Sequence, residues 1–278
     1  MTDSPFVAIH AVMEGIPHYC HMSMIGSTGM DLYAGEKGAE KYRGSFIPPY
    51  DMEGGYESIV HIPDQQERII TINFPLYSSL TKLYIGLENG SSLKKAPDYT
   101  YKVPIVTYGS SITQGACASR PGNCYQHFLT RELDCDHWNL GFAGGARAEE
   151  AIVEWIKHLT MSVFLYDYDH NAPSAEYLAA THEKMFRAIR QAQPDLPIII
   201  MPRPVYDLND EERERLEIIR RTYENAKDVG DQHVYFIHGS TLMADIRDNG
   251  TVDTCHPNDS GFASMARAIA PVLKKILR

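Results

Sequence analysis

A chain of 278 residues with 44% hydrophobic side chains can bury one large core or two ordinary ones. Its 26 basic and 36 acidic residues give a net charge of −10, which argues against a nucleic-acid or anionic-membrane surface as partner. Small, neutral or weakly charged ligands are the expectation that remains.

The opening Met1-Thr2-Asp3-Ser4-Pro5-Phe6 lacks a basic region followed by an apolar run, and no stretch is long and apolar enough to span a membrane. The expected location is cytoplasmic. Five cysteines (Cys20, Cys117, Cys124, Cys135 and Cys255) form no C-x-x-C pair, as expected of free thiols.

Residues 1–100 alternate short β-like runs with Gly, Pro and Asn turns. The runs are Ser23–Ile25, Met30–Tyr33, Tyr56–His61, Ile69–Phe74 and Lys82–Leu87. Turn signals at this density and the absence of a helical stripe predict a small antiparallel sandwich. Leu93–Lys102 reads as a linker.

From residue 101 the rhythm changes. Apolar runs at Ile105–Tyr108, His137–Leu140, Ser162–Tyr166, Ile198–Met201 and Val234–Ile237 alternate with helical stretches. Those stretches are Tyr125–Leu133, Arg147–His158, Ser174–Gln193, Asp210–Val229 and Ser260–Leu277. The alternation predicts a parallel sheet with helices on both faces. The fold class is therefore α/β, with a β-sandwich domain over 1–100 and a parallel-sheet domain over 101–278.

In such sheets ligands bind beyond the carboxyl ends of the strands, so the residues there carry the functional reading. Gly109-Ser110-Ser111-Ile112-Thr113 follows the first strand and can present a serine nucleophile or simply cap a helix. Gly141-Phe142-Ala143-Gly144-Gly145 follows the second and offers free amides, or a tight turn. Asp167-Tyr168-Asp169-His170-Asn171 follows the third, and Asn171 brings a neutral amide donor or an Asx-turn. Asp253-Thr254-Cys255-His256 precedes the last helix. Its spacing lets a carboxylate reach the imidazole Nδ1 and leaves Nε2 facing a serine, although loop and cap roles also fit.

In this order the four stretches resemble the blocks of the SGNH (GDSL-type) hydrolases, over Pro104 to the C-terminus. The sandwich ahead of them resembles the jelly-roll module of some carbohydrate esterases in that superfamily. The resemblance implies Ser111 as nucleophile, His256 as general base and acid, and Asp253 as its orienter. It implies an oxyanion hole of the Ser111 amide, the Gly144 amide and Asn171, with Gly141 as the alternative to Gly144. The usual Gly-Asp-Ser is Gly-Ser-Ser here, and the usual Gly-x-Asn-Asp has Asp169 and Ala172 at its ends. Thr113 stands where an α/β-hydrolase elbow has its second glycine.

The activity the resemblance implies is hydrolysis of a small-acyl ester through an acyl-serine, with acetyl on a carbohydrate suggested by analogy through the β-domain. The alternatives are transfer of the acyl group to an alcohol, or carbohydrate binding without turnover. No cofactor and no metal site are expected. His18, Cys20 and His21 lie close in sequence, but without typical zinc spacing. Arg120 and Arg203 can hold an acidic group of a substrate, or be surface charges. Tyr108, Tyr125, Tyr166, Tyr168 and Tyr206 can stack on a sugar, or pack in the core. The expected partner is a small-molecule or carbohydrate ester, with neither nucleic acid nor membrane; a homo-oligomer is left open.

Overall fold

The computed structural model describes residues 1–278. The first part contains β1 (Phe6–Met13), the single-turn α1 (Met24–Ser27), β2 (Met30–Gly35), β3 (Lys41–Phe46), β4 (Gly55–His61), β5 (Ile69–Asn73) and β6 (Leu80–Gly86). These strands form two antiparallel three-stranded sheets, ordered β4-β1-β6 and β3-β2-β5. Period-2 alternation turns Val7, Ile9, Ala11 and Met13 of β1 inward. There they meet Met30 and Leu32 of β2, Phe46 of β3 and Val60 of β4. The result is the small sandwich expected.

Two local expectations for this region change. Ser23–Ile25 is no strand: the Ser23 hydroxyl accepts from the Ile25 amide at 3.2 Å and caps α1. Residues 6–13 make the central strand of one sheet, although their outward positions Phe6, Ala8 and Val12 are apolar and mask the alternation.

The second part runs β7 (Tyr101–Gly109), α2 (Ser111–Gln114), α3 (Tyr125–Leu133), β8 (Cys135–Gly141), α4 (Glu150–Ile156), β9 (Val163–Asp167), α5 (Ala175–Ala192), β10 (Ile198–Ile200), α6 (Asp210–Asp228), β11 (Val234–Phe236), α7 (Gly239–Leu242) and α8 (Asp259–Ile276). All five strands pair in parallel, in the order β11-β10-β9-β7-β8. The chain leaves β7 first to one side and then to the other. A crevice therefore opens at its carboxyl end.

Both faces of the sheet are covered. Val163 and Leu165 of β9 face Leu129 of α3 and Phe262, Met265 and Ile269 of α8. Phe164 and Tyr166 face the other way, toward Ile156 of α4, Leu178 and Met185 of α5 and Ile219 of α6. Each fully buried side chain of this size contributes about 1.5–3 kcal/mol, so the two layers hold the strand ends rigidly.

The sandwich braces the start of α2. Tyr77 Oη donates to the Ser111 carbonyl at 3.3 Å, and Gln114 Nε2 donates to the Leu76 carbonyl at 2.9 Å. No helix is long and apolar enough to cross a membrane. All five cysteines are free thiols.

Candidate active site

β7 ends at Gly109, and the chain turns at once into α2. Ser110 is the N-cap: its buried hydroxyl accepts from the Ile112 amide at 3.2 Å, so it is turned inward and occupied. Ser111 is the first helical residue, and its side chain points into the crevice toward His256. The capping reading of this stretch thus falls on Ser110, and the adjacent Ser111 is left free to face His256.

Ser111 Oγ lies 2.9 Å from His256 Nε2. His256 Nδ1 lies 2.8 Å from Asp253 Oδ2. The Asp253 turn supplies the rest of the geometry. Its Oδ1 accepts from the amides of Cys255 at 3.2 Å and His256 at 2.8 Å, while Thr254 takes a left-handed φ of 68°. Partial burial raises the Asp253 carboxyl pKa, but the hydrogen bonds from the His256 amide and ring and the Cys255 amide outweigh it and hold it at about 2. Asp253 is therefore a carboxylate at neutral pH, and it fixes the imidazole with Nε2 facing the serine.

The loop after β8 approaches α2 closely. A Cβ on Gly141 would stand 2.1 Å from the Gln114 amide nitrogen, so only glycine lets the strand end pass the helix. Gly144 has a φ of +69° with open space around it. The Ala143 amide donates to Gln114 Oε1 at 2.9 Å, whereas the amides of Ser111 and Gly144 have no protein acceptor. Asn171 Nδ2 donates to the Phe142 carbonyl at 2.8 Å, which leaves its second N–H uncommitted.

Asp169 explains one departure in the third block. Its buried carboxylate takes Arg203 Nε at 3.0 Å and Nη2 at 3.0 Å, and Arg215 Nη1 at 3.5 Å. Arg215 Nη2 also donates to the Ala172 carbonyl at 3.0 Å. The charges lock the short loop that carries Asn171. Burial raises the Asp169 carboxyl, and the Arg203 contacts overcome that and keep it below the usual carboxylate range. The neighbouring His170 has a buried Nε2 without a partner; burial, and then Arg203, push it down to about 4, so it is neutral.

Two groups of candidates are absorbed elsewhere. Arg203 is committed to Asp169 and Arg120 to Asp31, so neither is free for a substrate. Tyr108, Tyr125, Tyr166 and Tyr168 are buried in the core, and Tyr206 packs against it. A cleft of about 600 Å³ between the sandwich and the sheet includes Gln114 and Gly141 but neither Ser111 nor His256.

His21 and Cys117 flank His256 and were not anticipated beside it. Residues 21, 117 and 256 are too far apart in sequence for any spacing rule to join them. His18 packs on Tyr50 instead, with ring centroids 4.7 Å apart.

A sheet with this strand order, carrying Ser, Gly, Asn and His on its carboxyl-edge loops, defines an SGNH-type hydrolase. The chain belongs to the GDSL-like lipase/acylhydrolase family, whose model matches residues 102–274. Residues 1–93 match the model of the N-terminus of SGNH-hydrolase-type esterases.

Among solved structures, a Bacteroides ovatus protein assigned as a GDSL-like lipase is 29% identical, with a TM-score of 0.88 over 99% of this chain and 82% of that one. The salicylyl-acyltransferase SsfX3 of a tetracycline biosynthetic pathway is 19% identical, with a TM-score of 0.76 over 99% and 80%. A family two carbohydrate esterase from Clostridium thermocellum, solved with cellohexaose, is 14% identical, with a TM-score of 0.66 over 99% and 90%. The latter two share the fold. No curated protein matches the chain.

Proposed function

We propose that the chain is a serine esterase that removes a small acyl group, acetyl on a carbohydrate, through an acyl-serine intermediate. The observation that carries this reading is the unbroken relay from Ser111 Oγ to His256 Nε2 at 2.9 Å and from His256 Nδ1 to Asp253 at 2.8 Å.

In this mechanism His256 takes the Ser111 proton as Oγ attacks the ester carbonyl. Asp253 stabilises the imidazolium that results. The developing oxyanion receives the amides of Ser111 and Gly144 and the spare N–H of Asn171, each worth about 3 kcal/mol of barrier. His256 then gives its proton to the departing alcohol. Water, deprotonated by the same imidazole, releases the acid and restores Ser111. Ser111 and His256 are half-buried and Phe142 to Gly145 are exposed, so water reaches the acyl-serine; this favours hydrolysis over transfer.

The carbohydrate part of the proposal rests on the sandwich and on the fold shared with the carbohydrate esterase. Residues 1–100 and 101–278 are read as two domains joined by Leu93–Lys102. Five free thiols fit a reducing compartment, the cytoplasm.

The test compares wild type with Ser111→Ala on p-nitrophenyl acetate and on acetylated xylo-oligosaccharides, with and without an alcohol acceptor. Wild type should release acetate, and Ser111→Ala should lose about 10⁶-fold in kcat. A Ser111→Ala variant of undiminished turnover would remove Ser111 from the mechanism. Acetyl appearing mainly on the alcohol would replace hydrolysis by transfer.

A further inference from the structure

We propose that His21, Cys117 and His256 form a site for one zinc-class divalent cation, and that its occupancy switches the esterase off. The binding half stands on geometry alone; the inhibition half rests on the role proposed for His256.

One ligand atom from each of the three residues lies within 4.8 Å of the other two. The residues come from the segment between β1 and α1, from the turn after α2 and from the loop before α8. The His21 ring leans over the His256 ring at a centroid separation of 5.4 Å. The Cys117 thiol donates to the His21 carbonyl at 3.4 Å, and Cys117 is buried, with a left-handed φ of 72°.

The donor set selects the ion. Two imidazoles and one thiolate suit zinc and its soft neighbours, whereas magnesium and calcium require oxygen ligands. Zinc–sulfur and zinc–nitrogen bonds of about 2.3 and 2.0 Å place ligand atoms roughly 3.3–3.7 Å apart, so the three side chains need to close by about an ångström. Three protein ligands leave a fourth position for water.

His256 determines the consequence. Its Nδ1 is held by Asp253, so Nε2 is the nitrogen left to bind a metal. That nitrogen is also the one facing Ser111 Oγ at 2.9 Å. An ion on Nε2 takes the lone pair that would accept the serine proton. The Asp253 carboxylate behind the ring is the partner that orients a metal-bound histidine. Cys117 enters the site as a thiol and binds as a thiolate. On binding, the sulfur–hydrogen bond breaks, a sulfur–metal bond forms, and the proton leaves to the buffer.

The experiment titrates the chelator-washed full chain with zinc chloride, following p-nitrophenyl acetate hydrolysis and binding heat in parallel. One ion per chain is expected, with hydrolysis falling as the bound fraction rises and returning on addition of EDTA. His21→Gln and Cys117→Ser should each weaken zinc inhibition by about tenfold or more while zinc-free turnover is kept. His21 is half-buried in a loop, which guards against a folding failure of the buried cysteine variant. Cobalt in place of zinc should give a thiolate charge-transfer band that Cys117→Ser abolishes. The proposal is overturned if zinc leaves hydrolysis unchanged, or if both variants are inhibited as strongly as wild type. If the chain hydrolyses no ester, the heat and the cobalt band still decide the site: absence of saturable binding overturns it, and binding lost in both variants upholds the site without the switch.

Discussion

Asp31 on β2 and Arg120 after α2 form an ion pair at 2.7 Å, with the Asp31 side chain wholly buried. The same carboxylate accepts from the Gly122 amide at 2.9 Å and from Asn73 Nδ2 at 2.7 Å. Arg120 in turn donates to Tyr33 Oη at 2.6 Å and lies over the Tyr42 ring. This cluster joins the sandwich to the loop that follows Ser111 and α2. Asp31→Ala leaves a mostly buried guanidinium without its counter-charge, which should cost about 3–5 kcal/mol. For a chain of this size that corresponds to a fall of roughly 10 °C in Tm. A thermal melt checks it, and a shift of only a degree or so would show that the pair does not hold the two parts together.

The candidate site's geometry was more legible in the sequence than the sandwich was. Ser111, Gly144, Asn171 and the Asp253/His256 turn each sit just beyond a strand or before a helix, where local signals are strong. The inner strands β9 and β10 and the end of β7 are buried on both faces, so they read as continuous apolar runs. β1 and β3 were missed for opposite reasons. β1 has apolar residues on both faces, and Lys41-Tyr42-Arg43-Gly44-Ser45-Phe46 has almost none to alternate. The Asp31–Arg120 pair and the His21–Cys117–His256 cluster join residues far apart in the chain, and only the packed fold brings them within reach.

Asn171 tests the oxyanion assignment. Its Nδ2 already donates once, to the Phe142 carbonyl. Asn171→Ala removes both that tie and the spare donor. We expect kcat to fall by about 10²–10³-fold while KM changes little. The lost loop contact should cost about 1 kcal/mol in stability. Steady-state kinetics beside a melt separates the two effects. Unchanged kcat with lowered stability would make Asn171 a loop brace only.

Gly141 and Gly144 are told apart by what an added methyl meets. At Gly141 the methyl stands 2.1 Å from the Gln114 amide nitrogen, so α2 must move. A shift of about an ångström there is enough to lose about 10²-fold in rate. At Gly144 the methyl meets nothing, and alanine bears only the left-handed strain of roughly 1–2 kcal/mol. Gly144→Ala keeps its amide, so its kcat should stay within about tenfold of wild type. Measuring kcat for both variants checks the contrast, and equal losses would contradict it.

Asp167 makes stability depend on pH in an unusual direction. It lies buried at the end of β9, where Thr113 Oγ1 donates to its Oδ2 at 2.7 Å. Burial pushes its pKa up to about 8; the Thr113 hydroxyl lowers it and the Asp169 charge adds to the rise. Between about pH 4 and pH 8 the folded chain therefore holds a proton that the unfolded chain has released. The stabilisation is complete below the unfolded carboxyl value, shrinks as pH rises, and is gone above about 8. Asp167→Asn keeps an oxygen to accept from Thr113 and removes the titration. Its stability relative to wild type should therefore grow with pH, by at most about 1.4 kcal/mol per unit. Denaturant unfolding of both proteins at pH 5, 6 and 7, within this range, measures that slope. Parallel curves would mean that Asp167 is already ionised in the fold, with the Thr113 hydroxyl as its donor.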